Sequence, residues 1–357
     1  MPSDSSLAAF PLLSLPKDVI LETIRVMDIG GIIGMSLSSK RCKKHVLSLN
    51  IKAKSFGVSI QREVNIDIRT STISMYIDFP TDETVMARQR KKLKTPDCFK
   101  VALHGEDDIL YFGLWKWTSF EYEDWLEHLR EVFHYRGFDR LSFHDNSFLY
   151  DLDDIKKVFG KPDELLVEHT GCFYFNQSIF KKFFYIKNVQ LDMNISPEGS
   201  NILSTILTQN IDELYTEDID RPLRTMNLED LLMINSKSIE IHYQTISSKD
   251  MNMFIKLWIK GSNPRLEYLE FEYFIGIPQV DEIMEGIKYT KTSKYECRYF
   301  KCCRKRLCLG VGIEIQRWDG TRATIQFSHA GDLHSFEMLV WHDHCVANRD
   351  DIFCLQE

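Results

Sequence analysis

The thiols and imidazoles toward the C-terminus are the side chains of this chain best suited to chemistry. Cys297, Cys302, Cys303 and Cys308 fall close together, and His342, His344 and Cys345 follow. Zinc favours such donors, but structural zinc sites usually carry a paired Cys-x-x-Cys spacing that is missing here. The cysteines are therefore expected to pack as small hydrophobes on alternating strand positions. His342, His344 and Cys345 are expected at alternate strand positions beside Trp341, with no metal and no cofactor. A phosphate loop, a His-Glu-x-x-His pair and a Gly-x-Ser-x-Gly elbow are all missing from the sequence. Asp151, Asp153 and Asp154 lack the turn glycine and distal glutamate of a calcium loop. The expectation is a protein that is not an enzyme.

The elements that would position side chains recur. Short apolar segments begin at Leu141, Leu165, Val189, Leu214, Ile239 and Leu269, at intervals of 24, 24, 25, 25 and 30 residues. Helical stretches lie between them, such as Ile155, Val158 and Phe159, or Met251, Phe254, Ile255 and Trp258. Strand then helix, repeated, predicts parallel strands, and the period falls in the leucine-rich-repeat range. The predicted fold class is α/β: a strand-helix array, leucine-rich-repeat-like, over 136–275, followed by an antiparallel β region over 276–357. An ordinary α/β sheet with coincidental spacing is the competing reading. In the C-terminal region, Val311, Ile313 and Ile315 alternate into Trp318-Asp319-Gly320-Thr321, and Ala323, Ile325 and Phe327 alternate out, a hairpin signal. Phe336, Met338 and Val340 predict a further strand that closes the array or forms a small appended sheet.

Period-two alternation says which strand side chains leave the core. With Leu141 and Phe143 inward, Ser142 and His144 face out. The same count exposes Glu168, Gln190, Asp192, Glu213, Tyr215, Glu217, Glu240, His242, Glu270 and Glu272. Such an acidic face could steer a basic client segment, or it could be a solvated strand face. The client candidates are His144, Glu168, Asp192, Tyr215, Glu217, Glu240, His242, Glu270 and Glu272.

With 44 basic and 52 acidic residues the net charge is −8, which opposes binding to phosphate backbones, so nucleic acid is not an expected partner. The run Arg88 to Lys94 carries five cations in seven residues and is expected to be a solvated loop rather than a localisation signal. No apolar run approaches the ~20 residues of a membrane helix, and the N-terminus makes a poor signal peptide, so no membrane partner is expected. Nine scattered cysteines agree with a reducing compartment where they stay thiols, cytoplasmic and/or nuclear. Over 56–135, a linking α/β region, Met75, Ile77 and Phe79 predict one strand and Phe99, Val101 and Leu103 another.

Phe10 to Val46 reads as three short helices. Ser14 can cap the first, with Pro16 in its first turn and Val19, Ile20, Thr23, Ile24 and Met27 at helical spacing. Asp28 can start a second, presenting Ile29, Ile32, Ile33, Ser36 and Leu37, and Ser39 a third. A module this small buries too little surface for much independent stability, which points to a partner. Leu15-Pro16, Val19-Ile20, Ile24, Ile32, Ser36 and the Ser39-Lys40-Arg41 step resemble an F-box, placed at 9–55. Gly30, Gly31 and Gly34 in the second helix depart from that pattern. The stretch from Asn227 to Phe271 is similar to the type 2 F-box-associated domain of nematode F-box proteins, and Trp318-Asp319-Gly320-Thr321 resembles their C-terminal element.

The resemblance implies a substrate-recognition subunit of an SCF-type ubiquitin ligase. A Skp-type adaptor, and through it a cullin, would be met by Leu15, Pro16, Val19, Ile20, Ile24, Ile32, Ile33, Ser36 and Lys40, and an unidentified client protein by the C-terminal region. The alternative it leaves open is a non-catalytic repeat interaction scaffold that no longer binds the adaptor.

Overall fold

The computed structural model describes residues 12–80, 92–93, 95–104, 109–183, 186–192, 202–217, 227–242, 246–273, 279–292, 297–330 and 333–349, and falls into two compact units. The first comprises 1–142 and 149–162, the second 143–148 and 163–357.

In the first unit, α1 (Lys17–Arg25), α2 (Ile29–Ser38) and α3 (Lys40–Leu47) precede a meander of β1 (Ala53–Ile60), β2 (Val64–Thr70), β3 (Ser74–Phe79), β4 (Cys98–His104) and β5 (Ile109–Lys116). Then come α4 (Tyr122–Val132), β6 (Arg140–Phe143), of which residues 140–142 belong here, and α5 (Leu152–Phe159). The strand order is β6-β1-β2-β3-β4-β5, with β1 to β5 antiparallel in succession.

Two of the three predicted caps form. The Asp28 carboxylate accepts from Gly31 N at 2.6 Å and the Ser39 hydroxyl from Cys42 N at 3.1 Å, each satisfying a donor that the first helical turn leaves orphaned. The first does not: Leu12–Ser14 is a 3-10 turn and Pro16 itself stands at the N-cap of α1, so Ser14 is too far upstream to cap it. One of the α2 glycines, Gly30, has a packing reason. A methyl group at Gly30 would come within 2.6 Å of Trp115 on β5, whose indole stacks on Phe99 with ring centroids 5.2 Å apart.

Strands β3 and β4 fall where the residue pattern predicts them, whereas β1, β2, β5 and α4 are additional. Val64, Ile66 and Ile68 alternate inward along β2, and Tyr122, Trp125, Leu126, Leu129 and Val132 lie on the buried face of α4 at helical spacing, so both signals were present.

The second unit holds β7 (Glu164–Val167), α6 (Phe173–Lys182), β8 (Asn188–Asp192), α7 (Ile202–Leu207), β9 (Glu213–Glu217), α8 (Leu228–Met233), β10 (Ser238–His242), α9 (Ser248–Ile259) and β11 (Tyr268–Tyr273). The strands pair parallel and in step with the predicted period: Leu165 opposite Val189, Val189 opposite Leu214, Leu214 opposite Ile239, Ile239 opposite Leu269. Their alternate side chains, Leu165, Val189, Leu214, Ile239 and Leu269, are buried.

After α10 (Val280–Ile283) come β12 (Thr290–Lys291), β13 (Arg298–Cys302), β14 (Lys305–Leu309), β15 (Ile313–Gln316), β16 (Arg322–Ala330), β17 (Leu333–Val340) and β18 (Val346–Ala347). The hairpin predicted at Trp318-Asp319-Gly320 joins β15 to β16, with Gly320 at φ +91, where a side chain would be strained. Strand β17 then adds antiparallel to β11, giving the order β7-β8-β9-β10-β11-β17-β16-β15-β12. The result is a mixed α/β sheet in which the antiparallel strands continue the parallel run. Of the two outcomes expected for the strand at Phe336, Met338 and Val340, it is the continuation of the array that occurs; a separate three-stranded sheet, β14-β13-β18, is built from other residues.

Polar side chains interlock successive strand entries. Arg265 donates to Asn210 Oδ1 at 3.0 Å, Asn235 O at 2.7 Å and Asp212 Oδ1 at 3.2 Å, while Asn235 Nδ2 donates to Asn210 Oδ1 at 2.6 Å. Asn263, at φ +46, sends its amide to Leu231 O at 3.0 Å and Ile234 O at 2.9 Å, satisfying carbonyls at the end of α8.

Candidate protein-interaction surfaces

The helical surface comes first. Of the nine adaptor candidates, Ile20, Ile24, Ile32, Ile33 and Ser36 are buried inside their own unit, while Pro16, Val19 and Lys40 are exposed and Leu15 is partly so. Ser36 Oγ donates to Ile33 O at 2.7 Å and lies 2.8 Å from His128 Nε2 on α4. Burial, with Lys43 adding to it, lowers the His128 pKa to about 4, so this imidazole is neutral at pH 7. Lys43 itself pairs with Glu131 of α4. The apolar side of α2 is thus covered by residues far downstream, and among the described residues of α1–α3 the exposed large apolar side chains are Val19 and Val26, the latter 83% exposed.

On the strand face of the second unit, alternation places Glu168, Gln190, Asp192, Tyr215, Glu240, His242, Glu270 and Glu272 outside the core, and all are exposed or half-buried. Ser142 is a correction: it is 4% exposed, on a strand whose last three residues are all buried. Glu217 lies on β9 with its side chain outside the described residues, and most of the basic run 88–94 is outside them too.

The second correction concerns the openness of this acidic face. The β13–β14 turn lays cations on it: Lys305 Nζ is 2.8 Å from Glu240 Oε2 and 3.3 Å from Glu270 Oε2. Arg304 Nη1 is 3.0 Å from Glu164 and Nη2 is 2.5 Å from Glu213. Tyr268 Oη also donates to Glu270 at 2.8 Å. Half-buried carboxylates at this spacing repel one another, and the cations offset that repulsion. Two other groupings remain at the face: His144 Nδ1 lies 2.8 Å from Glu168 Oε2, and His242 Nδ1 lies 2.7 Å from Glu272 Oε2 and 3.4 Å from Tyr215 Oη. The hydrogen bond from His144 holds the Glu168 carboxyl below the usual carboxylate range.

The cysteines depart from the expected pattern. Cys297, just before β13, and Cys308, on β14 opposite Tyr299 of β13, are joined by a disulfide diagonally across the hairpin, so they are not thiols. His342, His344 and Cys345 are not strand residues; Asp343–Cys345 is a 3-10 turn after β17. That turn brings His344 and Cys345 to Glu267, and the β13–β14 turn brings Cys302 and Cys303 to the same carboxylate. Burial opposes ionisation of Glu267, but hydrogen bonds from His344 and Cys302 outweigh it and hold its carboxyl low. Hydrogen bonding to Cys303 and burial keep the Cys302 thiol protonated, and burial with Glu267 pushes Cys345 up to about 12.

Within the second unit, residues 202–271 match a protein family described as F-box associated. Two Caenorhabditis elegans proteins are similar to nearly the whole chain. One, named "Uncharacterized protein F59B2.8", is 23% identical over 348 residues, covering 93% of this chain and 78% of its own length. The other, "F-box associated domain-containing protein sdz-33", is 23% identical over 337 residues, covering 93% of this chain and 98% of its own length. No solved structure matches. Among the described residues no helix is long and apolar enough to cross a membrane.

Proposed function

We propose that this chain is a non-catalytic substrate-recognition subunit of an SCF-type ubiquitin ligase, with α1–α3 meeting a Skp-type adaptor and, through it, a cullin, and the second unit holding a client protein. The observation that carries this reading is the F-box associated match over 202–271, downstream of three short helices with the F-box-like order of residues. In such an assembly the rate enhancement is proximity: client lysines are held near a ubiquitin-charged enzyme, and this chain does no bond chemistry. The client surface in this reading lies among His144, Glu168, Asp192, Tyr215, Glu217, Glu240, His242, Glu270 and Glu272, with Lys305 seated on Glu240 and Glu270.

One observation favours the second reading, a scaffold that does not bind the adaptor: five of the nine adaptor candidates are buried within their own unit. Co-purification of the full chain with a Skp-type adaptor separates the two. A double change of Leu15→Asp, just before α1, and Val19→Asp, on its exposed side, is expected to abolish the association while the unfolding midpoint stays within the range of the parent. Association that survives this change, or its absence from the parent chain, defeats the adaptor reading.

A further inference from the structure

We propose that Cys302, Cys303, Cys345 and Glu267 form a structural zinc site, with His344 orienting the Glu267 carboxylate from outside. The donors form two triads that share the Glu267 carboxylate, one with Cys302 and Cys303 and one with His344 and Cys345, and they come from three separate elements: the residue before β11, the end and turn of the β13–β14 hairpin, and the 3-10 turn after β17. Glu267 is 6% exposed. Its Oε2 lies 3.2 Å from Cys302 Sγ and 3.6 Å from Cys345 Sγ, and its Oε1 lies 2.9 Å from His344 Nε2. Cys302 Sγ and Cys303 Sγ are 3.8 Å apart. Tetrahedral zinc with Zn–S bonds of about 2.3 Å requires sulfurs separated by about 3.8 Å, which Cys302 and Cys303 already meet, while Cys345 would close on the ion from the other side of the shared Glu267 carboxylate.

Backbone geometry supplies an independent argument. Neighbouring residues of a strand point to opposite faces, so Cys302 and Cys303 would diverge if the strand simply continued. Cys303 instead adopts φ +48, a conformation uncommon for a residue with a side chain, and this turn brings its thiol beside that of Cys302. Three thiols and a carboxylate are soft and hard anionic donors of the kind zinc takes, and a hydrogen bond from an imidazole onto a ligating carboxylate is a common outer-shell support. Lys237, ion-paired with Asp212 at 3.1 Å, also lies close enough to Glu267 and Cys303 to act on them electrostatically. The ion ties the β13–β14 turn to the start of β11, and so holds Arg304 and Lys305 over the strand carboxylates.

The test uses the full chain produced in zinc-supplemented medium and purified with its thiols reduced. About one zinc per chain is expected by elemental analysis, and exchange with Co²⁺ should give thiolate-to-cobalt charge-transfer absorption together with the intense visible bands of tetrahedral cobalt. Cys302→Ser and Cys345→Ser should each cut bound zinc at least about tenfold. His344→Ala should weaken it by about 10–100-fold without abolishing it. Cys98→Ser, in the first unit, should leave the stoichiometry unchanged. A reduced parent chain that takes up no zinc and shows no cobalt–thiolate absorption overturns the proposal without recourse to any variant. So does peptide mapping that finds Cys302 disulfide-bonded to Cys303 or Cys345 in freshly purified protein.

Discussion

Gly30 of α2 and Trp115 of β5 occupy adjoining space so closely that the helix can carry no side chain there: a methyl group at Gly30 would lie 2.6 Å from the indole. Helix propensity alone says Gly30→Ala should stabilise by up to about 1 kcal/mol, whereas overpacking a filled contact costs about 1–3 kcal/mol. The steric term is the larger. Gly30→Ala is expected to lower stability by about 1–2 kcal/mol in urea unfolding, and a smaller penalty in a Trp115→Phe background would trace the loss to this contact.

His128 makes the first unit sensitive to acid. Its pKa is lowered from 6.5 to about 4 in the fold, so as pH falls the unfolded chain takes up a proton before the folded one. Stability attributable to this group is complete above about pH 7 and declines between about pH 6.5 and 4, by about 1–2 kcal/mol with allowance for solvent screening. His128→Gln should flatten that part of the stability profile relative to the parent, measured as urea midpoints at pH 7.5, 6 and 5.

Lys305 bridges Glu240 and Glu270, and removing it leaves two half-buried carboxylates facing each other. Lys305→Ala should cost about 1–3 kcal/mol. Combining it with Glu270→Gln should cost less than the sum of the single changes, by about 0.5–3 kcal/mol of coupling, which a double-mutant cycle of unfolding free energies reads directly.

Asn263 terminates α8 from thirty residues downstream through two amide hydrogen bonds, and its backbone sits at φ +46. Asn263→Ala loses both donors and a residue that tolerates the left-handed conformation, and should destabilise by about 2–4 kcal/mol. Asn263→Gly keeps the backbone freedom, so it should be the milder of the two. Thermal unfolding of the pair separates the hydrogen bonds from the conformational strain.

Local signals were legible in the sequence because the physics behind them acts within a few residues. Asp28 and Ser39 cap helices three residues ahead, Asp319-Gly320 makes its turn among its own neighbours, and the spacing of Leu165, Val189, Leu214, Ile239 and Leu269 follows from strand and helix periodicity. Which strand side chains leave the core was mostly readable for the same reason. Whether they meet solvent was not.

That answer needed the tertiary structure. Lys305 reaches Glu240 and Glu270 from a hairpin more than thirty residues away, α4 covers Ser36 across more than ninety, and Glu267 collects thiols from both later turns. Each of these contacts is long in sequence and short in space, so no local pattern of residue types encodes it. Gly30 of α2 looked like weakness in a helix and is instead the clearance for an indole. Residue pattern alone was enough for the strand–helix period, two helix caps and one hairpin turn, because each acts within a few residues; only the packing of distant segments decided which surfaces stayed open and which donors met.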